Sequence, residues 1–197
     1  MPQNFEDAVL PHLDAAYNLA RWLTRNEHDA QDVVQEAYLR ALRFFGGFHG
    51  GDARAWLLTI VRNTCYTWLR RNRSPQLSYD FDEAVLAKES PVLDPEAAHV
   101  LKAQTQLVNE AIEQLPIEFR EVVVLRELEE LSYKEIAGVT GIPIGTVMSR
   151  LARARKRLLV SLGGAPAVDL VRRGSSQESP ATRVLMKYPL TGITEST

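Results

Sequence analysis

Leu131-Ser-Tyr-Lys-Glu-Ile-Ala-Gly-Val-Thr-Gly-Ile-Pro-Ile-Gly-Thr-Val-Met-Ser-Arg-Leu-Ala-Arg-Ala-Arg-Lys-Arg-Leu-Leu159 is the stretch from which the fold can be read. Its spacing predicts a helix from about Tyr133 to Val139, with Ile136 and Ala137 turned toward a partner helix, and a tight turn at Gly141, where glycine accepts backbone angles that other residues resist. A second helix begins near Pro143, whose fixed φ suits a first helical turn. On that helix Val147, Leu151, Ala154 and Leu158 share one stripe, while Ser149, Ala152, Arg153 and Lys156 project to the other side with Thr146 at its edge. One face packs and the other is free to enter a major groove, the layout of a helix-turn-helix. Between Ile142 and Ser161 there are five basic residues, Arg150, Arg153, Arg155, Lys156 and Arg157, and no acidic one. A charge run alone is ordinarily a solvated helix face; on a helix-turn-helix spacing it points to phosphates.

Working outward, the 197 residues are 45% hydrophobic, enough for two small cores, and the net charge of −2 conceals a segregated distribution. Arg54 to Arg73 holds five arginines and no carboxylate, whereas Ser74 to Glu96 holds six carboxylates against Lys88 alone. Such asymmetry suits nucleic-acid contacts at particular faces. The single cysteine, Cys65, excludes an internal disulfide, and the longest mainly apolar run, near Ala55 to Val61, is too short to span a bilayer. With no secretory leader at the N-terminus, the expectation is a cytoplasmic protein that engages no membrane.

Apolar residues recur at helical spacing through Phe5, Val9, Leu13, Ala16, Ala20 and Leu23, and again through Val33, Val34, Ala37, Tyr38, Ala41 and Leu42. These predict two amphipathic helices separated by the polar stretch Arg25 to His28. Phe44 to Gly51 has too many glycines for a helix interior and is expected to be a loop bearing three aromatic rings. A third helix, from Asp52 as N-cap to Asn72, places Leu57, Ile60, Val61, Thr64, Cys65 and Trp68 on one stripe and Thr59, Arg62, Asn63, Tyr66, Arg70 and Arg73 opposite. The acidic, proline-bearing stretch from Ser74 to Pro95 has no period. Helical pattern resumes near Glu96 and runs to Pro116, and a further helix covers Ile117 to about Leu128. From Gly163 onward, fifteen of the last 35 residues are Gly, Pro, Ser or Thr, the composition of a disordered tail. The fold class is all-α, with two small helical domains joined by an acidic linker: residues 1–73, the linker 74–96, a four-helix domain 97–162 containing the helix-turn-helix, and the tail 163–197.

No clustered nucleophile, base or metal set occurs, the four histidines lack ligand spacing, and there is no phosphate-cradling glycine loop, so the chain is read as a non-enzyme without metal or cofactor. Cys65, on an apolar stripe, reads as a structural thiol. The first domain carries a second nucleic-acid signal. Phe44, Phe45, Phe48, Trp56 and Tyr66 interleave with Arg43, Arg54, Arg62 and Arg70, and single strands are held by aromatic platforms beside cationic grooves. Trp22 and Trp68 read as core. From the residues alone three classes stay open: a protein that finds a duplex site and helps to open it, a stand-alone helix-turn-helix regulator with a helical dimerisation or sensor domain, and an RNA-binding module.

Taken with those motifs, the chain from about Phe5 to Leu162 resembles a bacterial RNA polymerase sigma factor of the extracytoplasmic-function (ECF) group. The resemblance rests on Asp29-Ala-Gln-Asp-Val-Val-Gln-Glu-Ala-Tyr-Leu-Arg-Ala-Leu42, on Ala55-Trp-Leu-Leu-Thr-Ile-Val-Arg-Asn-Thr64 continuing to Arg73, and on Gly145-Thr-Val-Met-Ser-Arg-Leu-Ala-Arg-Ala-Arg-Lys-Arg157. It implies a monomer when free that joins core RNA polymerase at the β′ clamp and β flap, reads promoter DNA and is restrained by an anti-sigma factor. By that resemblance Asp32, Gln35, Glu36 and Leu39 would contact the clamp. Phe48, Trp56, Arg62, Asn63, Tyr66 and Arg70 would handle the minus-ten single strand, with the Phe44 to Asp52 loop and Asn63 forming the pocket for a flipped base. Thr146, Ser149, Arg150, Ala152 and Arg153 would face the minus-thirty-five element, with Arg155 and Lys156 on phosphates. The acidic linker would thread through the polymerase along the path of nascent RNA. Two positions depart from the family pattern: Thr67 stands where many relatives have Asp, and Pro143 where many have Ser.

Overall fold

The computed structural model describes residues 4–72 and 105–162, and every regular element among them is helical. The linker, Arg73, the helix start near Glu96 and the C-terminal tail lie outside the described residues. Those described form two units, one of 4–72 with 131–147 and one of 105–130 with 148–162.

The first unit is built on three mutually packed helices: α2 (Leu13–Thr24), α3 (Glu27–Phe44) and α4 (Ala53–Asn72). The first predicted helix is broken. α1 covers only Phe5–Val9, and a 3-10 turn at Leu10–His12 holds Pro11, which has no N–H to continue an α-helical ladder. α2 ends on Arg25 in the left-handed conformation (φ 64°), its N–H bonded to the Arg21 carbonyl at 2.9 Å. Asn26 then caps α3 by accepting from the Asp29 N–H at 3.1 Å. The corner thus takes two residues, where the polar stretch suggested four, and it turns α3 back along α2.

α3 buries only Ala30, Val33, Ala37 and Ala41. Three alanines on that stripe let the neighbouring helices approach closely, and the broad remainder of α3 faces solvent. Leu42, expected on the packed stripe, is 52% exposed. Helix α3 also runs through Phe44, and a 3-10 turn at Phe45–Gly47 follows, so the loop is shorter than the glycine pattern suggested. Asp52 caps α4 as expected, accepting from the Arg54 and Ala55 N–H groups at 2.9 and 3.1 Å. The buried stripe of α4 is Leu57, Leu58, Val61, Thr64, Cys65 and Leu69, while Ile60 and Trp68 are only half-buried.

In the second unit, α5 (105–113) and α6 (Ile117–Val123) enclose Val108, Ala111, Ile112, Leu115, Val122 and Val123. The buried Arg120 guanidinium donates to the Glu113 carbonyl at 2.7 Å, satisfying the C-terminal end of α5 from α6. The helix predicted to Leu128 widens at Val124–Leu128 into a π turn, closed by Glu129 N–H on the Val124 carbonyl at 3.0 Å. That turn carries the Glu127 side chain, 1% exposed, to Arg155 on the last helix, whose Nη2 donates to Glu127 Oε1 at 2.7 Å.

α7 (Tyr133–Thr140) lies in the first unit, against α4, and opens on a capping box. Ser132 Oγ accepts from the Glu135 N–H at 3.2 Å, and Ser132 N–H donates to Glu135 Oε2 at 2.7 Å. Gly141 ends it with φ 70°, its N–H on the Ala137 carbonyl at 2.9 Å. α8 (Ile144–Ser161) follows at once, with Pro143 immediately before its first residue. Its predicted stripe is buried throughout: Val147 0%, Leu151 1%, Ala154 0% and Leu158 1% exposed.

Two stability outcomes follow. Gly141→Ala forces a Cβ into the left-handed region and should cost about 1–2 kcal/mol in urea unfolding. Arg155→Ala leaves a buried carboxylate without its ionic partner and should cost about 1–3 kcal/mol, whereas Arg153→Ala, on the exposed face of the same helix, should stay within about 0.5 kcal/mol of the parent.

Candidate nucleic-acid and polymerase interface

The expected contact residues fall mainly on outward helix faces, the exceptions being Phe48, in the loop before α4, and Arg155, which turns to the buried Glu127. On α3, Asp32, Gln35, Glu36 and Leu39 recur at helical spacing and all four are exposed. Glu36 Oε1 accepts from Arg40 Nε at 2.8 Å, one turn on. Leu39 (56% exposed) and Leu42 (52%) add an apolar element beside these polar groups. Periodicity missed Leu42, because it counted every apolar residue toward the core. At the start of this face the Asp29 carboxyl is pushed up from its ordinary value, first by desolvation and then by repulsion from Asp32, with His28 opposing. An acidic surface whose members repel one another favours a cationic partner.

On α4, a turn of 100° per residue brings Trp56, Arg62, Asn63, Tyr66, Thr67 and Arg70 into one outward arc. Their side chains interlock. The Arg62 guanidinium carbon sits 4.5 Å from the centre of the Tyr66 ring, and its Nη1 donates to Asn63 Oδ1 at 3.3 Å. Thr67 Oγ1 donates to the Asn63 carbonyl at 2.8 Å and accepts from Arg70 Nη2 at 3.5 Å. Thr67 is therefore tied into the surface, bonding back to its own helix.

The loop rings form a chain that begins in the core. Phe5, 8% exposed, meets Tyr38 and Phe45 edge-on at 5.1 and 5.2 Å. Phe45 stacks on Phe48 at 5.8 Å, and Phe48 lies 5.0 Å from Trp56. Phe48 and Trp56, both half-buried, are thus brought together with Phe45, while Phe44 points away at 62% exposure. The ring spacing in the sequence indicated aromatic content; only the fold pairs a loop ring with a helix ring.

On α8, Ser149, Ala152, Arg153 and Lys156 are exposed, and Thr146 and Arg150 are half-buried at the edges of the face. The five cations divide. Arg155 is engaged by Glu127, and the Arg157 guanidinium lies 5.2 Å from the centre of the Phe119 ring. Arg150, Arg153 and Lys156 make no ion pair with another described residue. Two residues missing from the expected set, Ile144 (45% exposed) and Met148 (52%), add apolar surface beside the polar pole. Among the described residues no helix is long and apolar enough to cross a membrane.

Residues 8–74 match the family description Sigma-70 region 2, and residues 105–158 match Sigma-70, region 4. The chain is 35% identical over 163 residues to the ECF RNA polymerase sigma factor SigE of Mycolicibacterium smegmatis, a match covering 79% of this chain and 60% of that protein. It is 35% identical to the RNA polymerase sigma-H factor of Pseudomonas aeruginosa, covering 78% of this chain and 83% of that one. It is 38% identical to the ECF RNA polymerase sigma-E factor of Escherichia coli, covering 66% and 72%. Among solved structures, the sigma factor RpoE in complex with the anti-sigma factor NepR from Bartonella quintana matches with a TM-score of 0.67 at 28% identity, covering 82% of this chain and 98% of that one. CnrH in complex with the cytosolic domain of CnrY matches with a TM-score of 0.55 at 26% identity, covering 82% and 89%. With region 2 preceding region 4 on one chain, and relatives of this likeness matched over most of their length, the protein belongs to the ECF family of RNA polymerase sigma factors.

Proposed function

We propose that this chain is a dissociable promoter-specificity subunit: it joins core RNA polymerase, directs it to a two-part promoter, and is held inactive by an anti-sigma factor until released. The observation that carries the reading is the presence of both sigma regions on one chain, with most of the expected contact residues of each on an outward helix face.

Core polymerase docks on the exposed face of α3, where Asp32, Gln35 and Glu36 supply charge and hydrogen bonds and Leu39 an apolar anchor for the β′ clamp. A further contact of the second domain with the β flap completes the attachment. Upstream duplex is read by Thr146, Ser149, Arg150, Ala152 and Arg153, and Lys156 is placed for a phosphate. Because Arg155 is engaged by Glu127, it serves mainly to orient α8, and its reach to a phosphate is secondary.

Downstream, a base of the non-template strand is captured once it leaves the duplex. Unstacking costs a few kcal/mol, which stacking and hydrogen bonding on the protein offset. Phe48 and Trp56 offer the half-open ring pair, Asn63 a hydrogen-bonding amide, and Arg62, Tyr66 and Arg70 a cationic aromatic track. The role is binding throughout, with no catalytic step assigned to the chain. Since RpoE is solved with the anti-sigma factor NepR, an anti-sigma partner is extended to this protein as well. Its place of action, with the polymerase, is the cytoplasm.

Run-off transcription with purified core and promoter fragments selected by the reconstituted holoenzyme tests the proposal. Specific starts that require this chain are the expected result, and absence of binding to core at low and moderate salt would overturn it. Within that assay, Asn63→Ala should lower open-complex yield about fivefold, the value of one hydrogen bond of about 1 kcal/mol, and leave closed-complex affinity unchanged. Permanganate reactivity of unpaired thymines, set beside competition binding, separates the two steps.

A further inference from the structure

Met148 and Ile144 are large apolar side chains in the N-terminal half of α8, where the other exposed residues, Gly145, Ser149 and Ala152, are small or polar; they are 52% and 45% exposed, and the only other exposed large apolar residue of the helix, Val160, lies at its far end. They lie one turn apart on the continuous helix α8, and the exposed Ala152 lies one turn beyond Met148. In angular terms Met148 stands between the buried stripe and the pole formed by Ser149 and Lys156, so it borders the face assigned to DNA. The patch occupies the N-terminal half of α8, the part of a recognition helix that meets base edges.

The charge of the helix indicates what covers this patch. Five basic residues and no acidic one occur between Ile142 and Ser161, which favours a polyanion over an acidic or neutral apolar partner surface. Within the major groove, the bulkiest apolar feature available to a methionine is the C5-methyl group of thymine, larger than the C5–H of cytosine; the other edge groups are hydrogen-bond donors and acceptors. A thioether pressed against those polar groups would desolvate them without compensation, whereas against a methyl group both partners lose apolar contact with water. Ser149 and Arg153 then supply the hydrogen bonds on the neighbouring edges.

We propose that Met148, supported by Ile144 and Ala152, is a specificity-determining contact that reads thymine methyl groups in the upstream promoter element. The inference rests on the sigma-factor reading and adds to it a base preference set by apolar contact.

The test uses holoenzyme reconstituted from core polymerase and the full chain. An upstream element is first selected from randomised duplex, and each of its thymines is then replaced singly by deoxyuridine, which removes the methyl and leaves every hydrogen-bonding group in place. At one or two positions the replacement should weaken closed-complex binding about threefold to fourfold, the loss expected for one buried methyl. Met148→Ala should bind the thymine promoter more weakly and lose that sensitivity, Met148→Leu should keep it, and Ser149→Ala should keep it too. A selected element with no methyl dependence, or a dependence unchanged in Met148→Ala, overturns the inference alone. Failure to select any element overturns the sigma-factor reading with it.

Discussion

The ion pair between Arg155 and the buried Glu127 carboxylate fixes how α8 is rotated against the π turn beneath it. A carboxylate that is 1% exposed has lost most of its hydration, so a cation must lie within hydrogen-bond reach for the unit to be stable. A regular α-helix would have carried position 127 on around the axis, and the extra residue of the π turn resets it toward α8. With Arg155 held at that point, the 100° spacing of the helix determines the rest. Val147, Leu151, Ala154 and Leu158 are buried, and Ser149, Ala152, Arg153 and Lys156 look outward. The outward surface of α8 is therefore a consequence of one buried contact and helical geometry.

Legibility in the sequence followed the range of the forces involved. Helices whose limits are set locally were read closely: Asp52 caps α4, Gly141 ends α7, and the α8 stripe is buried residue for residue. Misreadings arose where a neighbour or a single residue overrides the period. Pro11 splits the first helix, and the π turn interrupts the helix predicted to Leu128. Leu42 completes an apolar repeat yet lies in solvent, because the small residues of α3 bring its neighbours close along a narrow stripe. The site followed the same division. Which helix face carries each set was readable from spacing, but which arginine was already engaged was not. Glu127 lies 28 residues from Arg155, and no periodicity links them.

The region 2 surface shows the complementary arrangement, in which functional side chains are held by one another rather than by a buried charge. Rings from Phe5 to Trp56 form a continuous path from the core to the loop, so Phe48 is positioned by contact despite the glycines on either side of it. The same packing leaves part of Phe48 and Trp56 open. Preorganisation of this kind matters for capturing a base, because a platform that must first be ordered would draw on the few kcal/mol available from stacking. Thr67 extends the logic. By bonding to the Asn63 carbonyl and accepting from Arg70, it holds two of the proposed DNA contacts without introducing a negative charge beside them.

The two faces proposed for nucleic acid differ in what they would ask of DNA. A helix face set rigidly by a buried ion pair suits intact duplex, whose groove has constant dimensions and whose base edges stand at fixed heights. A half-open ring pair beside an amide suits a nucleotide that has left the stack, since it offers a plane and an edge and requires no groove. On the proposed function neither surface supplies energy to separate strands, so opening would draw on contacts with the polymerase, the role proposed for the third exposed face, on α3. Its paired leucines, Leu39 and Leu42, amid carboxylates provide an apolar anchor ringed by charge, the composition by which protein interfaces combine affinity with selectivity.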